Sequence, residues 1–347
     1  MDRQSLHRRS RRHPLDKVIG LIAMTIVLLA CSYGLRLYSQ TKTAIDKTYD
    51  NTTVKKKKVD LSKQKPISVL LLGTDTGALG RSEKGRTDTM ILVTVNPKAR
   101  RTTMISIPRD TLSHVTSSIY TGATKINAQY FYNGSAGAVD AVKTLLNVPI
   151  NYYALVNMGG LEKIVDAVGG VDVNVQFSWS DPYSKGTFTK GPAHLNGEQA
   201  LAYARMRHQD PQGDYGRQQR QQEVIAAIVA NVLSTKTLSN YHDLMDSLSE
   251  NMRTNLNFDE LLTLANTYRG AFKTVNKDSL KGDGAYIGGA SYQIPTTTEL
   301  QRISDLARTE LSLEKTTLDN YNTKENAANT SNGFDWNDGN NPDYHIY

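Results

Sequence analysis

ISVLLLGTDTGALGRSEKGRTDTMILVTVNPKARRTTMISIPRD, residues 67–110, holds three short apolar runs at 67–72, 90–95 and 104–107, the last with threonines before it. Each is β-branched or leucine-rich and bounded by Gly, Pro or Asn, the pattern of buried strand rather than helix. The 96–101 connection is short enough to make the second and third strands antiparallel neighbours. The 15-residue stretch 74–88 allows the same for the first and second. In such a meander the end of strand one, the start of strand two and the end of strand three share an edge. Asp75, Asp88, Arg109 and Asp110 converge there.

That set has a chemical sense. Magnesium takes one or two protein carboxylates and fills its shell with water and phosphate oxygens. An adjacent Arg grips a phosphate oxygen bidentately and keeps its charge at any working pH. The same residues also fit a blander reading, with Asp75 and Asp88 as turn residues and Arg109 paired to a neighbouring carboxylate. The stretch alone leaves both open.

The formal charge of +7 is unevenly placed. Residues 1–66 carry 15 Lys and Arg against 5 Asp and Glu, so the remainder is slightly acidic. A basic tail is not the basic domain face that nucleic-acid binding needs, and no nucleic-acid partner is expected. Residues 18–35, VIGLIAMTIVLLACSYGL, are uncharged over 18 positions, about the minimum for a membrane span. Six Lys and Arg lie in the 17 residues before this run and three in the 17 after. The positive-inside bias therefore places the amino terminus in the cytoplasm and the rest of the chain outside, on a single uncleaved anchor in the cell membrane. The single cysteine, Cys31, falls inside that run, which leaves the outer region without disulfide, thiol nucleophile or thiolate metal site.

The expected organisation is a cytoplasmic basic tail (1–17), a transmembrane helix (18–35), a polar stalk (36–66), an extracellular domain (67–315) and a disordered tail (316–347). The last assignment rests on a composition rich in Asn, Thr and Asp with no apolar period. Within the domain, residues 133–146 read as a helix, 151–156 as a strand, 158–168 as a helix closed by Gly169 and Gly170, and 171–175 as a strand. Helices are also expected within 196–204, from Asp214 through the apolar run ending at 233, twice within 237–270, and at 297–313, with a closing strand near 286–295. Helices alternating with strands after an all-strand start imply an α/β fold, a mixed sheet covered on both faces.

Residues 191–233 form the second dense region. Arg205 and Arg207, two apart, share a side only in an extended segment. Arg217 and Gln221 share a helical face, with Arg220 close beside them. Arginines at helix ends are usually solvated or weakly paired. Here Arg205, Arg207 and Arg217 crowd a Gly/Pro/Asp loop with few carboxylates to match them, and together with Arg109 they suit an anion such as a diphosphate. Other chemistries are excluded. Gly73, Gly77 and Gly80 lack the GK[ST] ending of a P-loop, His114, His194 and His208 have no zinc spacing, and no G-x-S-x-G elbow exists.

Eight blocks occur in order: LLLGTD, GRTDTM, TVNP, SIPRD, KINAQY, VGGVDV, L-x-G-x-x-ALAYARMR and GDYGRQQRQ. In these the chain resembles the LytR-CpsA-Psr family of Gram-positive cell-wall enzymes over roughly residues 67–233. The resemblance implies an α/β/α sandwich with an apolar cavity for a lipid tail. It also implies a phosphotransferase that moves a glycopolymer, such as wall teichoic acid or capsular polysaccharide, from a polyprenyl diphosphate carrier onto peptidoglycan. By motif, the magnesium aspartates fall on Asp75 and Asp88 and the diphosphate-binding arginines on Arg109, Arg205, Arg207 and Arg217, with Gln221 as a further contact. The catalytic set so implied is Asp75, Asp88, Arg109 and Arg207. Many members carry an Arg directly after the first Asp. Here Thr76 and Gly77 follow Asp75, which leaves Arg81 or Arg86 for that role. Asp88 and Asp110 stand as alternatives for a general base. Two other functions remain to be weighed: a membrane-anchored transcriptional regulator using the basic residues 6–13, and a polyprenyl-phosphate binder or pyrophosphatase without a sugar acceptor.

Overall fold

The structure, a computed structural model, describes residues 14–50, 59–75, 85–183, 185–232 and 241–347, with residues 14–23, 26–30 and 241–242 given by backbone alone. The chain opens with α1 (Pro14–Thr48), then β1 (Ile67–Thr74), β2 (Thr87–Asn96) and β3 (Arg101–Ser106). A hairpin of β4 (Leu112–Thr116) and β5 (Thr121–Lys125) leads to α2 (Ala128–Leu146), β6 (Tyr152–Asn157), α3 (Met158–Ala167) and β7 (Val171–Val175). Next come β8 (Trp179–Asp181), β9 (Gly186–Phe188), β10 (Gly191–Leu195), α4 (Gly197–Arg205), α5 (Asp214–Val232), α6 (Tyr241–Asn251), β11 (Met252–Thr254) and α7 (Phe258–Thr267). The chain continues with β12 (Thr274–Ser279), β13 (Asp283–Ile287), β14 (Ala290–Ile294), α8 (Thr297–Glu310) and α9 (Tyr321–Ser331).

Six strands form the central sheet in the order β11-β6-β1-β2-β3-β12. The expected meander is present: β1 pairs with β2 and β2 with β3, both antiparallel. Parallel β6 and β12 flank it and make the sheet mixed. Period-2 alternation divides the strand residues between two cores. Leu70, Leu72, Met90, Leu92 and Ile105 pack with Val139, Val142 and Leu146 of α2 and Leu300 and Ile303 of α8. On the other face Ile67, Ile91, Val93, Val95 and Met104 pack with Leu256 and Tyr268, with Ile225 and Ala226 of α5 and Leu261 and Leu264 of α7 alongside, only half-buried. A third cluster joins β7, β8, β9 and α4 through Val173, Trp179, Phe188 and Tyr203.

Several expectations change. The closing strand near 286–295 is a hairpin, β13 with β14. The segment 36–66 is not a polar stalk in its described part. α1 runs on to Thr48, where Ala44, Ile45 and Thr48 are buried, and Leu61 enters the sheet core. Asp50 N donates to Thr254 O, and Tyr153 Oη donates to Asp50 Oδ2 at 3.0 Å, so the chain is fastened to the sheet before β1 begins. The lysine run 55–58 and the basic residues 6–13 lie outside the described residues. Among the described residues no helix is long and apolar enough to cross a membrane. The expected span falls in α1, where most of its residues are given by backbone only.

Residues 316–347 are not a disordered tail. Asn320 caps α9 with a full capping box, and Asn320, Asn322 and Asn326 donate to the carbonyls of Leu145, Leu112 and Pro295. Tyr344 is buried against Phe334 and Trp336 and donates to Asn326 Oδ1 at 2.7 Å. Composition misleads here because the amides are spent on buried backbone acceptors rather than on water.

Candidate functional site

The three meander strands end together and build the site. Asp75 follows β1 directly. β1 and β2 pair Gly73 with Thr89 and Thr74 with Thr87, so Asp88 is the extra residue of a β-bulge, a device that re-aims a side chain at a sheet edge. Arg109 lies just beyond β3, with Nη1 3.0 Å from Asp88 Oδ1 and Nε 3.6 Å from Asp110. Burial disfavours the Arg109 charge, but Asp88, Asp110 and Asp214 outweigh it and the net effect strengthens the cation. Nε is buried and makes no hydrogen bond among the described residues. Asn127 Nδ2 reaches Asp88 Oδ1 at 3.4 Å, and Lys125 Nζ lies 2.8 Å from Asp110.

The second dense region meets this edge. Arg217, on the first turn of α5, is only 8% exposed; its Nη2 lies 2.8 Å from Asp214 and 3.5 Å from the Asp88 carbonyl. Burial pulls the Arg217 pKa down, with Arg109 adding to the fall and Asp214 and Asp88 opposing it. Arg207 is exposed and approaches Asp214 at 3.8 Å. Arg205 closes α4, half-buried, and Met206 after it is extended, which sets the arginine spacing. Gln221 is buried and donates to Ala204 O at 3.4 Å. Arg109, Arg207 and Arg217 thus gather around Asp88 and Asp214.

The sequence marks Asp214 only as a helix start. It is the carboxylate shared by Arg207 and Arg217, a role its position one turn before Arg217 hints at. Arg220 turns away from the site. It donates to the carbonyls of Tyr203 and Met206 and pairs with the buried Asp210, pinning the loop that carries Arg205 and Arg207. Arg86 is exposed, and Arg81 lies outside the described residues. A cavity of ≈ 900 Å³ is lined by Trp179, Tyr203, Gln219, Arg220 and Lys277, and none of Arg109, Arg205, Arg207 and Arg217 lines it.

No cluster of three or more carboxylate, His or Cys groups among the described residues is arranged to hold a metal by itself. Two carboxylates beside a cation-rich edge fit an ion that completes its shell with water and phosphate oxygens, which is magnesium chemistry.

An α/β sandwich with an arginine-rich edge at the ends of its meander strands defines a phosphate-handling class. The LytR_cpsA_psr family model matches residues 33–309, and the chain belongs to that family. It is 43% identical over 304 residues to a polyisoprenyl-teichoic acid–peptidoglycan teichoic acid transferase, TagU, of Enterococcus faecalis, covering 87% of this chain and 99% of that one. A crystal structure from Enterococcus faecalis described as a transcriptional regulator superposes with a TM-score of 0.68 at 35% identity, over 79% of this chain and 97% of that one. A structure of TagT bound to LIIa-WTA superposes with a TM-score of 0.62 at 28% identity, over 74% and 94%.

Proposed function

We propose that this chain is a phosphotransferase that moves a teichoic-acid-type glycopolymer from a polyprenyl diphosphate carrier onto peptidoglycan, at the cell membrane with its catalytic domain outside. The observation that carries this is the meeting of Arg109 and Arg217 on one residue, Asp88, whose carboxylate lies 3.0 Å from Arg109 Nη1 and whose carbonyl lies 3.5 Å from Arg217 Nη2: two cations in a partly buried edge, with a donor on Arg109 still without a hydrogen bond, suit a polyanion. A diphosphate has the charge and the oxygens to engage Arg109, Arg205, Arg207 and Arg217 together, with Gln221 at the margin. The half-buried Ile225 and Ala226, further along α5, and Leu261 and Leu264 of α7 offer an apolar course for a lipid tail leaving that edge.

In the reaction a peptidoglycan sugar hydroxyl, for which the 6-hydroxyl of N-acetylmuramic acid is the candidate, attacks the glycan-proximal phosphorus. A new O–P bond forms, the bond from that phosphorus to the bridging oxygen breaks, and polyprenyl phosphate leaves with the electron pair. The hydroxyl proton passes to Asp110, the carboxylate of this edge that is not assigned to magnesium. The arginines offset charge as it gathers on the leaving phosphate, the main catalytic task in phosphoryl transfer. Asp75 and Asp88 would hold magnesium, which when bound supplies further charge neutralisation to the phosphate oxygens.

The test uses the full chain in detergent with a polyprenyl diphosphate-linked glycan and peptidoglycan strands, following polyprenyl phosphate release with and without magnesium. Release that needs both magnesium and strands supports the transferase. Release into water alone, unaffected by strands, points to a pyrophosphatase instead. The membrane assignment is checked separately by protease protection of residues 1–13.

A further inference from the structure

The arginines occupy one flank of Asp88 and Arg109, and a transfer reaction needs room for a second substrate. The other flank begins at Asn127, whose N donates to Arg109 O at 3.2 Å and whose carbonyl accepts from Thr87 N. It continues through Lys125, which lies 5.5 Å from the centre of the Tyr292 ring. Tyr292 in turn packs in one apolar cluster with Leu112 of β4 and Ala123 of β5, which joins it to the hairpin.

Past Tyr292 the surface is aromatic. The rings of Tyr120 and Tyr132 stack at 5.5 Å with 25° between planes, and Phe131 meets Tyr132 edge-on at 5.2 Å. Ile119, Tyr120 and Phe131 are 72%, 42% and 44% exposed. Exposed aromatic surface of this kind is usually functional.

The ledge is also rigid. Tyr120 Oη donates to Ala123 O at 3.0 Å, and Ser117 N donates to Tyr120 O at 3.0 Å. Gly122, at φ +153°, lets the ring lie flat over the hairpin, since a Cβ there would meet Tyr120 Oη at 2.9 Å. Gln129 Nε2 donates to His114 O at 2.8 Å and Asn133 Nδ2 to Thr116 O at 3.1 Å, locking α2 to β4.

We propose that this ledge is the acceptor subsite, stacking the pyranose rings of a glycan strand and presenting a sugar hydroxyl to the Asp88–Arg109 edge. The inference rests on the transferase reading. Flat, amphipathic tyrosine rings held in place suit the C–H faces of sugars, with phenol groups available to ring hydroxyls. A lipid surface is the poorer occupant: the hairpin 112–125 has one Lys or Arg, Lys125, and that is paired with Asp110 at 2.8 Å, whereas membrane-surface elements carry several basic residues beside their apolar ones.

The experiment titrates the full-length chain in detergent micelles with uncrosslinked peptidoglycan glycan strands, and measures the strand KM in the transfer assay. Wild type is compared with Tyr120→Ala/Tyr132→Ala and with Tyr132→Phe. The expected result is strand binding weakened about tenfold or more in the double alanine variant, as a higher KM with kcat little changed, and near-normal binding in Tyr132→Phe. Affinity for the polyprenyl diphosphate donor, measured on the same samples, reports folding. Equal strand affinity in wild type and the double alanine variant overturns the ledge, as does wild type failing to bind strands. Loss of binding to anionic vesicles with strand affinity intact also overturns it, in favour of a membrane contact. If wild type binds strands through the ledge but never releases polyprenyl phosphate, the transferase reading fails and the subsite stands.

Discussion

Arg109 Nη1 sits 3.0 Å from Asp88 Oδ1 across the ends of two paired strands. Their side chains are 25% and 22% exposed, and for such a partly buried pair the cost of desolvating both charges offsets most of their attraction, so the net contribution to stability is small. Its value is in holding a guanidinium and a carboxylate where a phosphate arrives. Asp88→Ala and Arg109→Ala are each expected to cut transfer by about 10²-fold or more, with thermal midpoints within a few degrees of wild type. Near-normal release of polyprenyl phosphate in either variant removes these residues from the mechanism.

Arg220 is the opposite case. It is buried, bound to two carbonyls, and paired with Asp210, whose side chain is only 4% exposed. Arg220→Ala leaves a buried carboxylate without a counter-charge, a change that costs about 3–5 kcal/mol. Denaturant unfolding should show that loss. The loop holding Arg205 and Arg207 should loosen with it, read as faster amide exchange at residues 206–213.

Asp214 links stability to pH. Burial alone raises its carboxyl pKa, but Arg217, Gln218, Arg109 and Arg207 more than offset this and hold it below the usual carboxylate range. A depressed folded pKa contributes stability that is fully present above the unfolded value and is lost as pH falls through the folded one. Asp214→Asn should therefore unfold at a lower temperature than wild type at neutral pH, with the two curves converging as the pH drops below about 4. A constant gap between them at all pH values rules out this carboxylate as the origin.

Removing residues 316–347 tests the carboxy-terminal finding. The truncation strips Asn322 from the Leu112 carbonyl and Tyr344 from its cluster, so the β4 and β13 region loses its cover. Tyr344→Ala alone should cost about 3–5 kcal/mol, in the range for a buried aromatic truncated to alanine. An unchanged midpoint in the truncated chain makes the segment dispensable.

The sequence carried the central sheet because β1, β2 and β3 are short, apolar and divided by turn residues, so local pattern and tertiary pairing agree. It also brought Asp75, Asp88 and Arg109 to one edge, since strand ends follow from strand order. Three things were not legible. Asp214 looked like a helix start because its pairing with Arg207 depends on how the loop at 206–213 folds back. Arg220 stands close beside Arg217 and Gln221 in the sequence, and nothing in that spacing shows that its side chain turns to Asp210 and the carbonyls of Tyr203 and Met206. The carboxy-terminal segment looked solvated because composition records how many amides are present and not which carbonyls receive them. The aromatic ledge lay hidden for a related reason: Tyr120 and Tyr132 belong to a hairpin and a helix whose contact nothing in the local pattern announces.

The fastening of α1 to the sheet has a mechanical consequence. From residue 35 to Thr48 the helix rises about 20 Å, and its last turn is bonded through Asp50 to Thr254 and Tyr153 without an intervening hinge. With the preceding residues embedded as proposed, the domain rides on a mast and not on a tether. Its site then sweeps a shell of nearly fixed height above the lipid as the protein diffuses, and only wall strands lying at that height come within reach.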